Sequence, residues 1–273
     1  MTLAVGFFDG VHIGHQAILR GADAALTFRE HPLSVLRPEM APALLMPFDA
    51  RVAAIGAAGV GRVVALSFTR ELAELPPDAF AARLRMMGAD EVRCGANWRF
   101  GRGGAGDADF LCRHGFRVTV VPYAEHAGAP VSSTRIRAAL ATGAMEEASA
   151  MLGRPWSASG EVFSGKGMGR EMGFPTVNVR LDPEIVQPPR GAYAVEAHGA
   201  RGVANLGVAP TMGGRAWETS VLEVHFTDPE PVYPDDGRME VSFLRFLRPE
   251  RAFASVGELR EQIARDIRAA AES

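Results

Sequence analysis

The run of short apolar segments changes character once along the chain, and that change limits the folds available. Up to residue 153, apolar runs alternate with segments of helical spacing. LAVGFF (3–8), AALTF (24–28), RVVALSF (62–68), EVRCG (91–95) and RVTVVPY (117–123) read as buried strands. GHQAILR (14–20), FDARVAAIGAAG (48–59) and PDAFAARLRMMG (77–88) read as helices between them. Strand–helix–strand alternation calls for a parallel sheet covered by helices on both faces. The first crossover has only residues 9–23 in which to return a parallel strand, so its helix has room for about two turns. Residues 131–153 read as two short helices, with Ser132 or Ser133 as a cap and Gly143 and Gly153 as stops. After Arg154 the texture changes to strand-like runs. ASGEVF, TVNVRL, AYAVEAHG, GVANLGV, SVLEVHF and MEVSFLRFL are separated by Gly and Pro. Six such strands suggest a small antiparallel barrel. Residues 255–270 open with a Ser255–Glu258 capping box, and Leu259, Ile263 and Ile267 form one apolar stripe expected to dock on that barrel. The boundaries expected are 1–153 and 154–273.

Composition removes several functional classes. The 273 residues carry 29 basic and 32 acidic side chains, a formal charge of −3, whereas nucleic-acid binders are more often strongly basic. No run of about eighteen uncharged apolar residues is present, so no membrane span is expected. The opening MTLAVGFFDG lacks the basic segment and long apolar core of a signal peptide, which points to the cytoplasm. Cys94 and Cys112 stand far apart and read as buried thiols of a reducing compartment.

The first chemical motif is Asp9-Gly-Val-His12-Ile-Gly14-His15, placed where a strand ends and a helix begins. Two imidazoles three residues apart can donate hydrogen bonds to the oxygens of a nucleotide α-phosphate, and Gly14 lets the backbone approach closely. In-line displacement at phosphorus spreads charge over the equatorial oxygens, and preorganised donors stabilise that charge. A metal pair or a capping cluster are the alternatives, although no further His/Cys/Asp/Glu cluster supports a metal. Val131-Ser-Ser133-Thr134-Arg135-Ile-Arg137 offers a second anion site, able to hold a leaving pyrophosphate. By itself it is also compatible with an ordinary capped helix carrying solvated arginines.

GFFDGVHIGHQAIL, TFREHPLSVLRP, GANWRFGRGGAGD and VSSTRIRAAL together resemble the adenylyltransferase module of bacterial bifunctional riboflavin kinase/FAD synthetase enzymes. The resemblance implies an α/β nucleotidyltransferase, Rossmann-like domain with a parallel sheet. It implies that His12 and His15 polarise the ATP α-phosphate, with Gly6, Phe8, Asp9 and Gly14 around the nucleotide. Ser133, Thr134 and Arg137 would hold the distal phosphates. Phe28, Pro32, Asn97, Phe100 and Asp107 would serve the flavin. The attacking FMN phosphate is already anionic, so no covalent intermediate or strong base is required. Residues 99–106 (RFGRGGAG) could alternatively be a mobile surface loop. Two departures from the family pattern stand out: Phe7 replaces a usual Asn, and the usual first helix is longer between Arg20 and Ala24.

In the second half, Gly165-Lys166-Gly167-Met-Gly169-Arg-Glu-Met-Gly173-Phe-Pro175-Thr176-Val-Asn178 is neither a Walker A nor a kinase Gly-rich loop by spacing. A Gly-rich segment can still wrap polyphosphate with its amides. Thr176 and Asn178 lie two apart on a strand and share a face, and their oxygens are hard ligands suited to Mg²⁺. A generic hairpin with two exposed polar residues is the alternative reading. GREMGFPTVN is similar to the flavokinase signature, and GAYA, ANLGVAPTMGG and LEVHF follow in that module's order. By this resemblance, Gly165, Lys166, Gly167, Gly169, Gly173 and Pro175 contact nucleotide, and Thr176 and Asn178 carry Mg²⁺-ATP. Glu223 is the base for the riboflavin 5′-hydroxyl, with Asn205 and Thr211 near the flavin. The implied whole is an FMN adenylyltransferase domain followed by a six-stranded antiparallel flavokinase barrel with a C-terminal helix. Its reactions would be riboflavin to FMN and FMN to FAD, both with ATP. The alternative implied by the two departures is a riboflavin kinase with an impaired or structural adenylyl half.

Overall fold

The structure is a computed structural model, and it describes residues 1–164, 169, 173–209, 219–227 and 237–272. The chain divides into two compact units, Met1–Ser133 and Thr134–Ser273.

The first unit is built on a parallel sheet of β1 (Thr2–Val5), β2 (Ala24–Phe28), β3 (Arg62–Leu66), β4 (Glu91–Gly95) and β5 (Arg117–Val121), in the order β3-β2-β1-β4-β5. Its central strands are apolar on both sides because both faces are covered. Leu3, Val5, Leu26 and Val92 pack on one face against Phe80 and Leu84 of α5 (Pro77–Met86) and Leu111 of α6 (Ala108–Arg113). Ala4 and Ala25 pack on the other against Ile18 and Leu19 of α1 (Ile13–Leu19) and Ile55 of α3 (Phe48–Ala57). Each fully buried Leu or Ile contributes about 1.5–3 kcal/mol of burial free energy. Two short helices that the apolar spacing does not reveal, α2 (Pro32–Leu36) and α4 (Arg70–Ala73), complete the unit with the two-residue strands β6 (Glu125–His126) and β7 (Ala129–Pro130). The first crossover works with a seven-residue α1. The first strand is shorter than its apolar run, because the backbone at Phe8, Gly10 and Val11 turns into the left-handed region. Cys94 is buried as expected, but Cys112 is exposed, because it lies on the solvent side of α6.

The second unit takes in α7 (Ser133–Thr142) from its second residue onward and α8 (Met145–Leu152), separated at Gly143 and ended at Gly153 in the left-handed conformation. A closed barrel follows, in the order β10-β11-β12-β9-β8-β13. Its strands are β8 (Trp156–Phe163), β9 (Val177–Leu181), β10 (Gly191–Ala197), β11 (Ala200–Ala209), β12 (Thr219–Phe226) and β13 (Arg238–Pro249), and every pairing is antiparallel. Closure leaves no free sheet edge.

The C-terminal helix α9 (Val256–Ala271) begins at Ser255, whose hydroxyl accepts from Glu258 N at 3.2 Å, while the Glu258 carboxylate accepts from Ala254 N at 3.1 Å. The expected stripe is only part of its docking face. Leu259, Ile263 and Ile267 are half-buried, and the buried positions are Gln262, Asp266 and Ala270. Asp266 accepts two hydrogen bonds from Arg248 Nε and one from Arg248 Nη2 at 2.8 Å, with a further bond from Gln262 Nε2 at 2.7 Å. The seam is therefore a hydrogen-bonded ion pair flanked by apolar side chains, which hydrophobic spacing alone does not disclose.

Candidate active sites

In the first unit, β1 lies where the strand order reverses, with β2 on one side and β4 on the other. Parallel sheets bind ligands beyond the carboxyl ends of the strands at such a point. The chain leaves β1 through a tight turn. A Cβ at Gly6 would lie 2.8 Å from the Phe8 ring, so only glycine allows that ring to fold back. Phe8, Gly10 and Val11 all have positive φ, at 58°, 81° and 42°. For a β-branched residue such as Val11 this conformation is costly, about 1–3 kcal/mol, and needs support from its surroundings. The support is visible. Gln16 Nε2 donates to Val11 O at 2.9 Å, and the buried Asp9 carboxylate accepts from Leu45 N at 3.0 and 3.1 Å. The Ser133 hydroxyl donates to Asp9 O at 3.0 Å.

This turn delivers His12 as the N-cap of α1, with its Nδ1 accepting from His15 N at 3.3 Å. Because Nδ1 accepts, a neutral His12 carries its proton on Nε2. The two imidazoles stack at 3.6 Å with an interplanar angle of 18°. A Cβ at Gly14 would meet the His12 ring at 3.2 Å, so glycine leaves the stack room to form. Burial, then His12, then Arg51 hold His15 well below the usual imidazole range. Its Nδ1 is sealed from solvent and makes no hydrogen bond. At neutral pH His15 is thus a neutral ring able to donate one N–H, which suits a group that binds phosphate oxygen without exchanging its proton.

The other expected residues of this unit have varied surroundings. Asn97 is exposed in the turn after β4, beside the same end of the sheet. Phe28 ends β2 and meets Phe68 edge-on at 5.4 Å, and Pro32 is the first residue of α2. Phe100 is buried in an aromatic cluster with Phe80, Trp98 and Phe110. Asp107 caps α6, accepting from Phe110 N at 2.8 Å. The segment 99–106 is a built loop, closed by paired hydrogen bonds between Phe100 and Gly106 and anchored by Arg102 N to Leu75 O at 2.7 Å. Thr134 and Arg137 lie on α7, in the second unit.

In the second unit, three expected residues fall into one row. Asn205 on β11 is paired with Glu223 on β12, and Glu223 with Asn178 on β9. The neighbouring row, Leu206–Leu222–Val179, is buried, so the polar row faces the other side of the wall. Thr176 immediately precedes β9, which begins at Val177, so it lies just outside the strand that the sequence spacing gave it, two residues before Asn178. Desolvation, and then the Glu250 carboxylate, push the Glu223 carboxyl above its usual range. A Cβ at Gly207 would lie 3.2 Å from Glu250 Oε1, which puts that second carboxylate beside the row. A Cβ at Gly169 would lie 2.5 Å from Phe174 O and 3.0 Å from Thr176 Oγ1, so only glycine lets the backbone come this close to the threonine hydroxyl. Gly173 has a φ of 83°, and Pro175 O bonds His225 Nδ1 at 2.8 Å. Gly165, Lys166, Gly167 and Thr211 lie outside the described residues.

Sequence reasoning did not single out Arg51 or Glu250. Arg51 was detectable as a lone cation in the apolar helical run FDARVAAIGAAG, four residues from Ile55 and thus on its buried face. Glu250 offers no such signal, because its nearness to Glu223 depends on strand order.

Comparison with known proteins agrees with the two-part organisation. The FAD synthetase family model matches residues 1–135, and the riboflavin kinase family model matches residues 152–273. A bifunctional riboflavin kinase/FMN adenylyltransferase of Pseudomonas fluorescens is 37% identical, covering 97% of this chain and 90% of the relative. The enzymes of the same name from Escherichia coli (strain K12) and Bacillus subtilis (strain 168) are 35% and 31% identical over the same shares. A crystal structure described as a macrolide-efflux protein from Streptococcus pneumoniae superposes with a TM-score of 0.84 at 28% identity, covering 97% of this chain and 91% of that one. Among the described residues of this chain, no helix is long and apolar enough to cross a membrane.

Proposed function

The chain belongs to the bifunctional riboflavin kinase/FMN adenylyltransferase family, and from that premise we propose how its residues divide the two reactions. The protein is a transferase that phosphorylates riboflavin to FMN with ATP and adenylylates FMN to FAD with release of pyrophosphate. The adenylyl step is assigned to residues 1–153 and the kinase step to residues 154–273.

In the adenylyl step, His12 and His15 donate to the α-phosphate of ATP while the FMN phosphate attacks in line. Gly6, Phe8, Asp9 and Gly14 shape the turn under the nucleotide. Ser133, Thr134 and Arg137 receive the departing pyrophosphate. The rings of Phe28 and Phe100, with Pro32, Asn97 and Asp107, serve the flavin. The observation carrying this assignment is the imidazole stack at the carboxyl end of β1, at the sheet's reversal point. Preorganised donors of this kind contribute about 10²–10³ in rate when aimed at developing phosphoryl charge.

In the kinase step, Glu223 accepts the proton of the riboflavin 5′-hydroxyl, and its raised pKa makes it a stronger base than an ordinary carboxylate. Asn205 orients the flavin beside it, with Thr211 near the same ligand. Thr176 Oγ1 and Asn178 Oδ1 are hard oxygen donors two residues apart, which suits Mg²⁺ bound together with ATP phosphates. When bound, the cation neutralises phosphate charge. Gly165, Lys166, Gly167, Gly169, Gly173 and Pro175 form the nucleotide side. The demand of both reactions for ATP favours the cytoplasm as the compartment.

Product analysis tests the whole assignment. Incubation with riboflavin, ATP and Mg²⁺ should yield FMN and then FAD. FMN accumulation with no FAD above background would instead leave the protein a riboflavin kinase with a structural first unit.

A further inference from the structure

The ladder between β12 and β9 runs from Val221–Arg180 to Val224–Val177 and stops there. Thr176 lies one residue past that last pair, and Pro175 before it has no N–H with which to continue the ladder. A side chain takes over where the backbone pairing ends. His225, which follows Val224 on β12, meets Pro175 O through Nδ1 at 2.8 Å. A carbonyl oxygen only accepts, so Nδ1 carries the proton and donates. The same imidazole meets the Phe174 ring edge-on, with 5.4 Å between centroids. Phe174 N in turn donates to Gly169 O at 2.8 Å, and a Cβ at Gly169 would lie 3.0 Å from Thr176 Oγ1. Side chains alternate along a strand and Val224 between them is fully buried, so His225 projects to the same side of the wall as Glu223.

We propose that His225 is a positioning residue for the kinase step: by holding the Pro175 carbonyl it sets the Thr176 hydroxyl relative to Asn178, so that the two oxygens can serve one cation bound with ATP. This rests on the assignment of Thr176 and Asn178 to Mg²⁺-ATP. The need for such a bond is physical. Asn178 is fixed by the ladder, where it pairs with Glu223. Thr176 lies outside the ladder, and two ligands share a small, geometrically demanding cation only when their separation is held. Groups that orient a ligand without touching the metal decide that separation. Glu223 and His225 stand two residues apart on β12, so the strand that supplies the proton acceptor also aligns the segment assigned to the nucleotide. Packing by itself does not call for a ring N–H at this half-buried position, because a phenylalanine would make the same edge contact with Phe174.

The test uses the full chain carrying His225→Phe, His225→Asn or Thr176→Ala. FAD formation from supplied FMN, and riboflavin binding followed by quenching of its fluorescence, report that each unit is folded. Phenylalanine keeps the ring contact and removes the donor, whereas the asparagine amide places an N–H close to the position of the histidine Nδ1–H. His225→Phe is expected to lower kcat for FMN formation about 10–100-fold and to raise the Mg²⁺ concentration for half-maximal rate about tenfold, with riboflavin affinity within about twofold of the parent. Calorimetry with ADP supplies a readout that needs no turnover. His225→Phe should weaken ADP binding about tenfold in the presence of Mg²⁺ and leave it within about twofold in its absence. His225→Asn should recover most of both. A His225→Phe protein with parental kcat and parental Mg²⁺-dependent ADP binding overturns the inference. So does equal loss in the Phe and Asn variants with the Mg²⁺ dependence unmoved, which would make His225 a packing residue. Parental FMN formation and parental Mg²⁺-dependent ADP binding in Thr176→Ala would instead overturn the assignment of Thr176 itself.

Discussion

The Ser133 hydroxyl donates to the main-chain carbonyl of Asp9 at 3.0 Å, joining two segments 124 residues apart in sequence. It braces the strained turn that presents His12. Ser133→Ala removes this bond, and a part-buried hydrogen bond of this kind contributes about 0.5–1.5 kcal/mol. FAD formation should fall several-fold while FMN formation stays constant, as measured on one preparation by chromatography of both products. Equal loss of both activities would show that the bond stabilises the chain generally and does not brace this site.

The two reactions should separate by mutation. His15→Ala is expected to lower FAD formation by about 10² or more while sparing FMN formation. Glu223→Ala should do the reverse, leaving FAD formation from supplied FMN intact. Parallel collapse of both activities in either folded variant would sink the two-site division.

The carboxyl of Glu223 gives a stability signature as well as a kinetic one. Its folded pKa lies above the unfolded value, so between the two the native state binds the extra proton. Stability from this group is present below the unfolded carboxylate range and is lost as pH rises through the raised pKa. Glu223→Gln should therefore unfold at a higher temperature than the parent at pH 7–8 while losing kinase activity. An unchanged or lower Tm would contradict the desolvation of Glu223 and its crowding by Glu250.

The opposite sign applies to His15. Its folded pKa is depressed, so the unfolded state takes up the proton first as pH falls. The contribution is fully present above about pH 6.5 and declines below it as pH approaches the folded value. Denaturant titrations from pH 7.5 to 5 should show less acid destabilisation in His15→Asn than in the parent.

Arg248 and Asp266 form the seam beneath α9, with side chains only 18% and 6% exposed. Removing one partner of such a pair leaves a buried charge, which costs about 3–5 kcal/mol. Asp266→Ala should lower the stability of the second unit by that order in urea titration. A loss under about 1 kcal/mol would mean that apolar contacts alone seat the helix.

Some of this was readable directly. Apolar runs alternating with helical spacing identified the parallel sheet, because each strand's burial on both faces is written in its own residues. The change after Arg154 likewise marked the barrel. The Gly143 and Gly153 stops and the Ser255 cap are local backbone chemistry, and all three occur where the sequence puts them. Other elements left weaker traces. The first strand stops at Val5 although its apolar run continues to Phe8, because the turn overrides strand propensity. The stripe on α9 named its face but not its anchor. Asp266 looks like a solvent-facing acid until Arg248 is placed opposite it.

From its sequence alone, then, the protein's chemistry was recognisable through motifs a dozen residues long, since their side chains act within a turn or two of one another. Tertiary structure decided the alignments: Asn178, Glu223 and Asn205 in one row, Ser133 on the Asp9 carbonyl, and Arg51 walled in by Phe7 and Phe48. The physical reason is range. Turn geometry and spacing depend on neighbours in the chain, whereas strand register, burial of a charge and its effect on a distant pKa depend on which segments are brought together.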